Sequence, residues 1–342
     1  MLFGKRRYEV ICVGSTSKDV FFPTDEGVII ETPEDITSKE KIAFEMGGKF
    51  LANNRYESVG GVAANIASGL GRLGRHVACY SKVGTDEMGR WALDRLKENG
   101  VSTKVLFSDA TVKTDLSAIV VIEQNGERII FHNRDANEKL EIIEEKLLDT
   151  EWLFVSALNG DWKGNLRKLL EMRKRHHLKF AFNPGQHNIK EDPRLVLQAI
   201  RQADVLFLNK DEAIELIMDS ENPLSADELD DEAFLLETLH EIGADVIGMT
   251  DGKRGAWSYD GIQMWHCPIR TRTGVVDSTG CGDAFGSGFF NALLDGASID
   301  KALRCGIAQS GSVVGFYGAI EGLLDMKTMN QLIKDIIPSR MR

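Results

Sequence analysis

Short apolar runs alternate with amphipathic stretches along most of this chain. Val10-Ile11-Cys12-Val13 ends at Gly14, the pattern of a buried strand. Residues 61–73 then carry Ile66, Leu70 and Leu73 at helical spacing and stop at Gly74, and Val77-Ala78-Cys79-Tyr80 resumes as strand. A helix over 91–96 ends at Asn99-Gly100, a usual stop. Further strands are predicted at Trp152-Leu153-Phe154-Val155, Phe180-Ala181-Phe182, Val205-Leu206-Phe207-Leu208 and Val246-Ile247-Gly248-Met249, with helices near 166–175, 195–200 and 212–218 between them. Repeated strand-then-helix units with continuously apolar strands predict an α/β fold, a mostly parallel sheet covered by helices. The last helices, 300–314 and 326–336, are plainly amphipathic.

Two segments break the alternation. Residues 26–58 hold short polar strand candidates, and 116–132 read as a hairpin turning at Asn125-Gly126. Together they predict a small sheet, a lid, projecting from the α/β body. No long linker or repeat interrupts the chain, so one domain over 1–342 is expected. The acidic stretch 227–232 reads as the solvated start of a helix, and His176-His177 as a solvated helix end.

Composition narrows the class. With 41 basic and 52 acidic residues, the formal charge of −11 argues against a nucleic-acid or anionic-membrane partner. No stretch approaches the ~18 consecutive apolar residues of a membrane span. The start, Met1-Leu2-Phe3-Gly4-Lys5-Arg6-Arg7, runs straight into the first strand without a secretory core. Five scattered cysteines (Cys12, Cys79, Cys267, Cys281, Cys305) read as reduced thiols. A cytoplasmic protein is the expectation.

Candidate chemistry concentrates at Asp277-Ser278-Thr279-Gly280-Cys281-Gly282-Asp283, where an apolar helical pattern begins at once with Ala284 and Phe285. Free N–H groups and the positive end of the helix dipole would coincide there, which suits an anion. An acid beside an anion pocket suits phosphoryl transfer, with Asp283 taking the proton of the attacking hydroxyl. Its unperturbed pKa, about 3.9, leaves it ionised at neutral pH.

Other motifs are weaker singly. Gly60-Gly61 opens a helix with Asn65 one turn in, a place for ligand hydroxyls or simply a tight packing turn. Asp19 lies just beyond the first strand, at the sheet edge where open α/β folds bind ligands, and suits either two hydroxyls of a polyol or an ordinary loop acid or helix cap. Asn209 and Glu212 suit either Mg²⁺ held through water or an ordinary helix cap. Thr250-Asp251-Gly252-Lys253-Arg254-Gly255 offers room and charge for a nucleotide, or a hairpin connection.

Taken in chain order, these residues resemble the ribokinase-like, or PfkB, family of small-molecule kinases. Its signatures match Gly60-Gly61…Asn65 and the 277–283 run, its Asn-x-x-Glu motif matches Asn209…Glu212, and its Thr-x-Gly turn matches Thr250…Gly252. The resemblance implies a three-layer α/β/α fold with a β lid, and transfer of the γ-phosphate of ATP to a hydroxyl. It implies Asp283 as general base, with Gly280, Cys281 and Gly282 as the anion hole. Asp19, Gly60, Gly61 and Asn65 would hold the acceptor. Asn209 and Glu212 would organise Mg²⁺ and phosphates, and Thr250 and Gly252 would line the nucleotide pocket. A monovalent cation such as K⁺ would sit by Asp277 and Gly318-Ala319, and lids in the family often pair into homodimers.

Ser278 and Cys281 stand where the family commonly has Thr and Ala. A thiol at 281 predicts sensitivity to oxidation or alkylation. The stretch between Asp19 and Gly60 is long for the family. The Arg134-Asp135-Ala136-Asn137 stretch looks like the sugar-kinase form, with Asp135 where glycine is frequent. A sugar or sugar acid (ribose, fructose or a ketodeoxy acid) is therefore the expected acceptor. The alternative is a nucleoside such as adenosine, whose base would need a slot from Phe21, Phe22, Phe44 or Phe131. A non-catalytic sensor is disfavoured by the intact acid and glycines, and a dinucleotide oxidoreductase by the lack of Gly-x-Gly-x-x-Gly after the first strand.

Overall fold

Alternate residues of the first strand, Tyr8–Val13, enter two different cores: Ile11 and Val13 face one side of a sheet, Val10 and Cys12 the other. Both sides are covered, so the strand reads as one continuous apolar run. The computed structural model describes residues 6–32, 40–52, 54–123, 128–218, 225–271 and 274–341.

Among them the large sheet has nine strands. Six are parallel, in spatial order Val77–Tyr80, Tyr8–Val13, Thr150–Val155, Lys179–Phe182, Val205–Asn209, Val246–Thr250. Three more, Ala256–Tyr259, Met264–Cys267 and Ser339–Arg340, extend that edge antiparallel. On one face, helices Trp162–His176, Pro193–Ile200 and Glu232–Ile242 bury Leu166, Leu169, Val196, Leu235 and Leu239. On the other, helices Val62–Arg72, Cys281–Leu294 and Ile299–Val313 bury Ile66, Leu70, Phe285, Phe289 and Ile307 around Phe154 and Phe207, whose rings stack at 5.5 Å.

The lid is a four-stranded sheet in the order Arg128–Asn133, Asp115–Ile122, Ser17–Thr24, Tyr56–Gly60, with a small core of Phe21, Ile119 and Val121. Two expectations change here. Asp19, expected just beyond the first strand at the edge of the main sheet, instead belongs to a central lid strand over 17–24, paired with Ser117 on one side and Ser58 on the other. The 26–58 segment contributes only Tyr56–Gly60 to this sheet; Val28–Glu31 and Glu40–Ala43 make a separate hairpin. The Asn125-Gly126 turn lies outside the described residues.

The acidic 227–232 stretch is not simply solvated. Glu232 is mostly buried and receives Lys210 Nζ at 2.7 Å, and Arg254 as well. His176 does end its helix, with Nε2 2.6 Å from Glu144.

Candidate active site

The first strand delivers the chain through Gly14 into the lid, which places Asp19 over the sheet's edge. The residue is buried, and Ser17 Oγ donates to its Oδ1 at 3.0 Å. Burial pushes the Asp19 pKa up, while hydrogen bonds from Ser117 and Ser17 oppose that rise. Gly60 makes the room: a methyl group there would lie 2.1 Å from Asp19 Oδ2. Gly61, at φ 91°, caps helix Val62–Arg72, and any side chain would strike the Ser15 carbonyl.

Asn65, in the first turn of that helix, donates Nδ2 to Asp283 Oδ2 at 2.7 Å. Its Oδ1 is buried with no partner among the described residues. That is an acceptor left for a ligand hydroxyl, since an unmet buried oxygen is costly.

Asp283 belongs to the first turn of helix Cys281–Leu294, capped by Gly280 at φ 72°. Asp277 braces the preceding loop. Its Oδ1 accepts from Thr279 N and Oγ1 at 2.9 and 2.7 Å, and its Oδ2 from Gly318 N at 3.0 Å. The Cys281 amide turns back to the Ser278 carbonyl at 3.3 Å. The amides of Gly280, Gly282 and Asp283 meet no acceptor among the described residues. Free donors at a helix N-terminus make an anion site.

Asp283 is half-buried: it borders a cavity on two sides, and its carboxyl lies between the two helices on the Asn65 amide. Burial pushes its pKa up to about 7; the Asn65 hydrogen bond opposes the shift, and Glu212 and Asp19 add to it. The ordinary aspartate value assumed from sequence is thereby corrected.

Two cavities meet at this residue. One, of about 240 Å³, is lined by Asp19, Gly61, Asn65, Thr279, Gly280 and Asp283 together with lid residues. The other, of about 210 Å³, is lined by Asn183, Asn209, Glu212, Thr250, Gly282 and again Asp283. Asn209 and Glu212 cap helix Lys210–Met218 reciprocally, Asn209 Oδ1 accepting from Glu212 N at 2.8 Å and Glu212 Oε2 from Asn209 N at 3.0 Å. The helix-cap reading of that motif therefore holds, and the same two side chains border the second cavity. Burial raises the Glu212 pKa.

Other expected residues lie further back. Gly252 is on a short turn, Gly252–Arg254, between antiparallel strands and lines neither cavity. Arg254 on that turn is held by Asp251 at 2.6 Å and by Glu232. Cys281 is half-buried, and burial pushes its thiol up to about 12, which disfavours the reactive thiolate expected from sequence. The four candidate aromatics line neither cavity; Phe21 is fully buried in the lid and Phe131 is exposed.

Sequence reasoning gave no role to Ser17, Ser117, His132 or Asn159 on the first cavity or to Asn183 on the second, and marked Arg134 only as part of a sugar-kinase-like stretch. It also passed over the reason for Ala136-Asn137. Asp115 Oδ1 accepts the amides of residues 135, 136 and 137 at 2.9, 2.9 and 3.3 Å, and Oδ2 accepts Asn137 Nδ2 at 2.8 Å. Arg128, on the outer lid strand, donates to the Ser278 hydroxyl and so ties lid to anion-site loop.

The profile of the pfkB family of carbohydrate kinases matches residues 9–326. The chain belongs to that family. It is similar to an ATP-dependent 6-phosphofructokinase of Thermoanaerobacterium thermosaccharolyticum, 25% identical over 97% of this chain and 96% of the relative. Among solved structures it is similar to the nucleoside kinase of Burkholderia thailandensis in complex with inosine, with TM-score 0.76, 19% identity, and coverage of 95% of this chain and 97% of that one. It is likewise similar to Arabidopsis thaliana ribokinase complexed with ribose and ATP, with TM-score 0.75, 20% identity, and coverage of 96% and 99%. The pfkB chain described here is a phosphotransferase acting on an alcohol, with ATP as the family's donor. No helix among the described residues is long and apolar enough to cross a membrane.

Proposed function

We propose that this kinase phosphorylates a sugar or sugar acid, with Asp283 as the general base. The observation that carries the reading is that Asp283 borders both cavities, with Asp19 and Asn65 on one side and Asn209, Glu212 and Thr250 on the other. The acceptor hydroxyl, oriented by Asp19 and Asn65, gives its proton to Asp283 as its oxygen bonds to the γ-phosphorus. The bond to the β-phosphate oxygen breaks and ADP leaves. The free amides at 280, 282 and 283 would bind the migrating phosphoryl group as charge develops on it. The absence of an aromatic slot built from Phe21, Phe22, Phe44 or Phe131 favours a sugar over a purine nucleoside.

Mg²⁺ fits the second cavity as a visitor. Glu212 supplies one buried carboxylate there, and no cluster of three acidic, His or Cys side chains that could hold a metal occurs among the described residues. That donor set suits an ion arriving on the nucleotide with its own waters, neutralising phosphate charge. A K⁺ ion would act at the junction of the Asp277 loop and Gly318. A homodimer would use the exposed hairpin residues Val28, Ile29 and Ile30, and sedimentation at several concentrations reads it.

The test is an ATP-consumption screen over sugars, sugar acids and nucleosides with Mg²⁺ and K⁺ present. Turnover of a sugar or sugar acid, lowered about 10²-fold or more in Asp283→Asn, supports the reading. Preference for a nucleoside, or no acceptor at all, overturns it.

A further inference from the structure

Three carboxylates line the acceptor cavity, from Asp19, Asp115 and Asp283, against one guanidinium, from Arg134. The carboxylates have partners. Asp115 is filled by three backbone amides and Asn137, Asp19 accepts from Ser17, and Asp283 accepts from Asn65. Arg134 makes no hydrogen bond or ion pair with any of the described residues. The adjacent acid does not neutralise it. Asp135 is turned to the Lys113 amide at 2.8 Å and to Lys139 Nζ at 3.1 Å.

The position is fixed although the side chain is free. Arg134 follows the outer lid strand Arg128–Asn133 and precedes the 135–137 backbone that Asp115 grips. It is exposed at the lid side of the cavity, whereas Asp283 is half-buried at the other side, where the two cavities meet. His132 beside it does not add a second charge. Its Nδ1 meets Ser117 Oγ at 3.1 Å, and burial together with the nearby Arg134 lowers its pKa. Asn133 and Asn159 add neutral polar groups to the same cavity. A guanidinium placed here offers a planar fork that matches carboxylate or phosphate oxygens two at a time. It also offsets the repulsion that three carboxylates would exert on an anionic ligand.

We infer that the acceptor carries an anionic group, a carboxylate or a phosphate, at the end away from the hydroxyl that is phosphorylated, and that Arg134 binds that group. This rests on the sugar-kinase reading and narrows its substrate class.

The test compares the full chain with Arg134→Gln on fructose, 2-keto-3-deoxygluconate, fructose 6-phosphate and adenosine. The wild-type protein is expected to favour an anionic acceptor over fructose by about tenfold or more in kcat/KM. Arg134→Gln should raise the KM for that acceptor about 10- to 100-fold, the range of a charge-assisted contact, with the loss falling on the acceptor and not on the KM for ATP. Arg134→Lys should restore part of the affinity. Preference for the carboxylate names a sugar acid as the source of the anion; preference for the phosphate names a sugar phosphate. A neutral acceptor favoured by the wild-type protein, or an anionic preference that survives Arg134→Gln, would overturn the inference while leaving the kinase reading intact. No turnover of any acceptor would remove the kinase reading and this inference with it.

Discussion

The Asn65 side-chain amide donates to Asp283 Oδ2 at 2.7 Å, joining the first turns of two helices whose starts lie more than 200 residues apart in sequence. The bond leaves Asn65 Oδ1 free and buried toward the acceptor cavity, and it steadies the ionised form of a carboxyl that burial would otherwise protonate.

Removing that bond should therefore alter the pH profile as well as the rate. In Asn65→Ala, kcat/KM should fall about 10- to 100-fold, and its acid limb should move to higher pH than in the wild-type protein. Initial rates from pH 5 to 9 measure both. A lower rate with an unmoved limb would mean that Asn65 acts on the acceptor alone.

Stability should show the same carboxyl from the other side. The folded-state pKa of Asp283, about 7, lies above its ordinary value of 3.8. Stability from this site is complete below about pH 4 and is lost as pH rises through about 7. Asp283→Asn mimics the protonated form, so the ligand-free variant should melt a few degrees above wild type at pH 8. The gap should shrink at pH 5. Differential scanning calorimetry at both values reads the sign.

The two glycines of the anion site should separate. A methyl group on Gly280, at φ 72°, would lie 2.1 Å from Ala319 Cβ, whereas one on Gly282 meets no protein atom within 4 Å. Gly280→Ala should lower the Tm, the cost of forcing a side chain into a left-handed, crowded position being about 1 kcal/mol or more. Gly282→Ala should keep its Tm and raise the KM for ATP by filling space meant for phosphate.

Cys281 should be inert. Its thiol stays protonated because burial holds its pKa at about 12. Iodoacetamide at pH 8 should leave activity unchanged over a period that modifies a free model thiol. Rapid inactivation, prevented in Cys281→Ser, would contradict this.

The α/β body was legible because its central strands are buried on both faces and so read as unbroken apolar runs, as Val10–Val13 and Val205–Leu208 do. The lid was less so. Ser17–Thr24 buries Ser17 and Asp19 at its start, toward the acceptor cavity, and Phe21 further along, so the inward positions mix polar and apolar residues and the alternation is broken. The site motifs were visible because glycines mark close approach at Gly60, Gly61 and Gly280. Arg134 and Asn183 carried no such mark: Arg134 follows the outer strand of the lid hairpin and Asn183 follows a strand of the main sheet, and neither has a glycine beside it. The raised pKa of Asp283 depends on two helices meeting, which no local pattern encodes.

Turnover of Asp283→Asn with the preferred acceptor tests the central claim most directly. The account predicts ATP binding close to that of the wild-type protein and a kcat lower by about 10²- to 10⁴-fold, the usual worth of a general base. Wild-type turnover in that variant would contradict it.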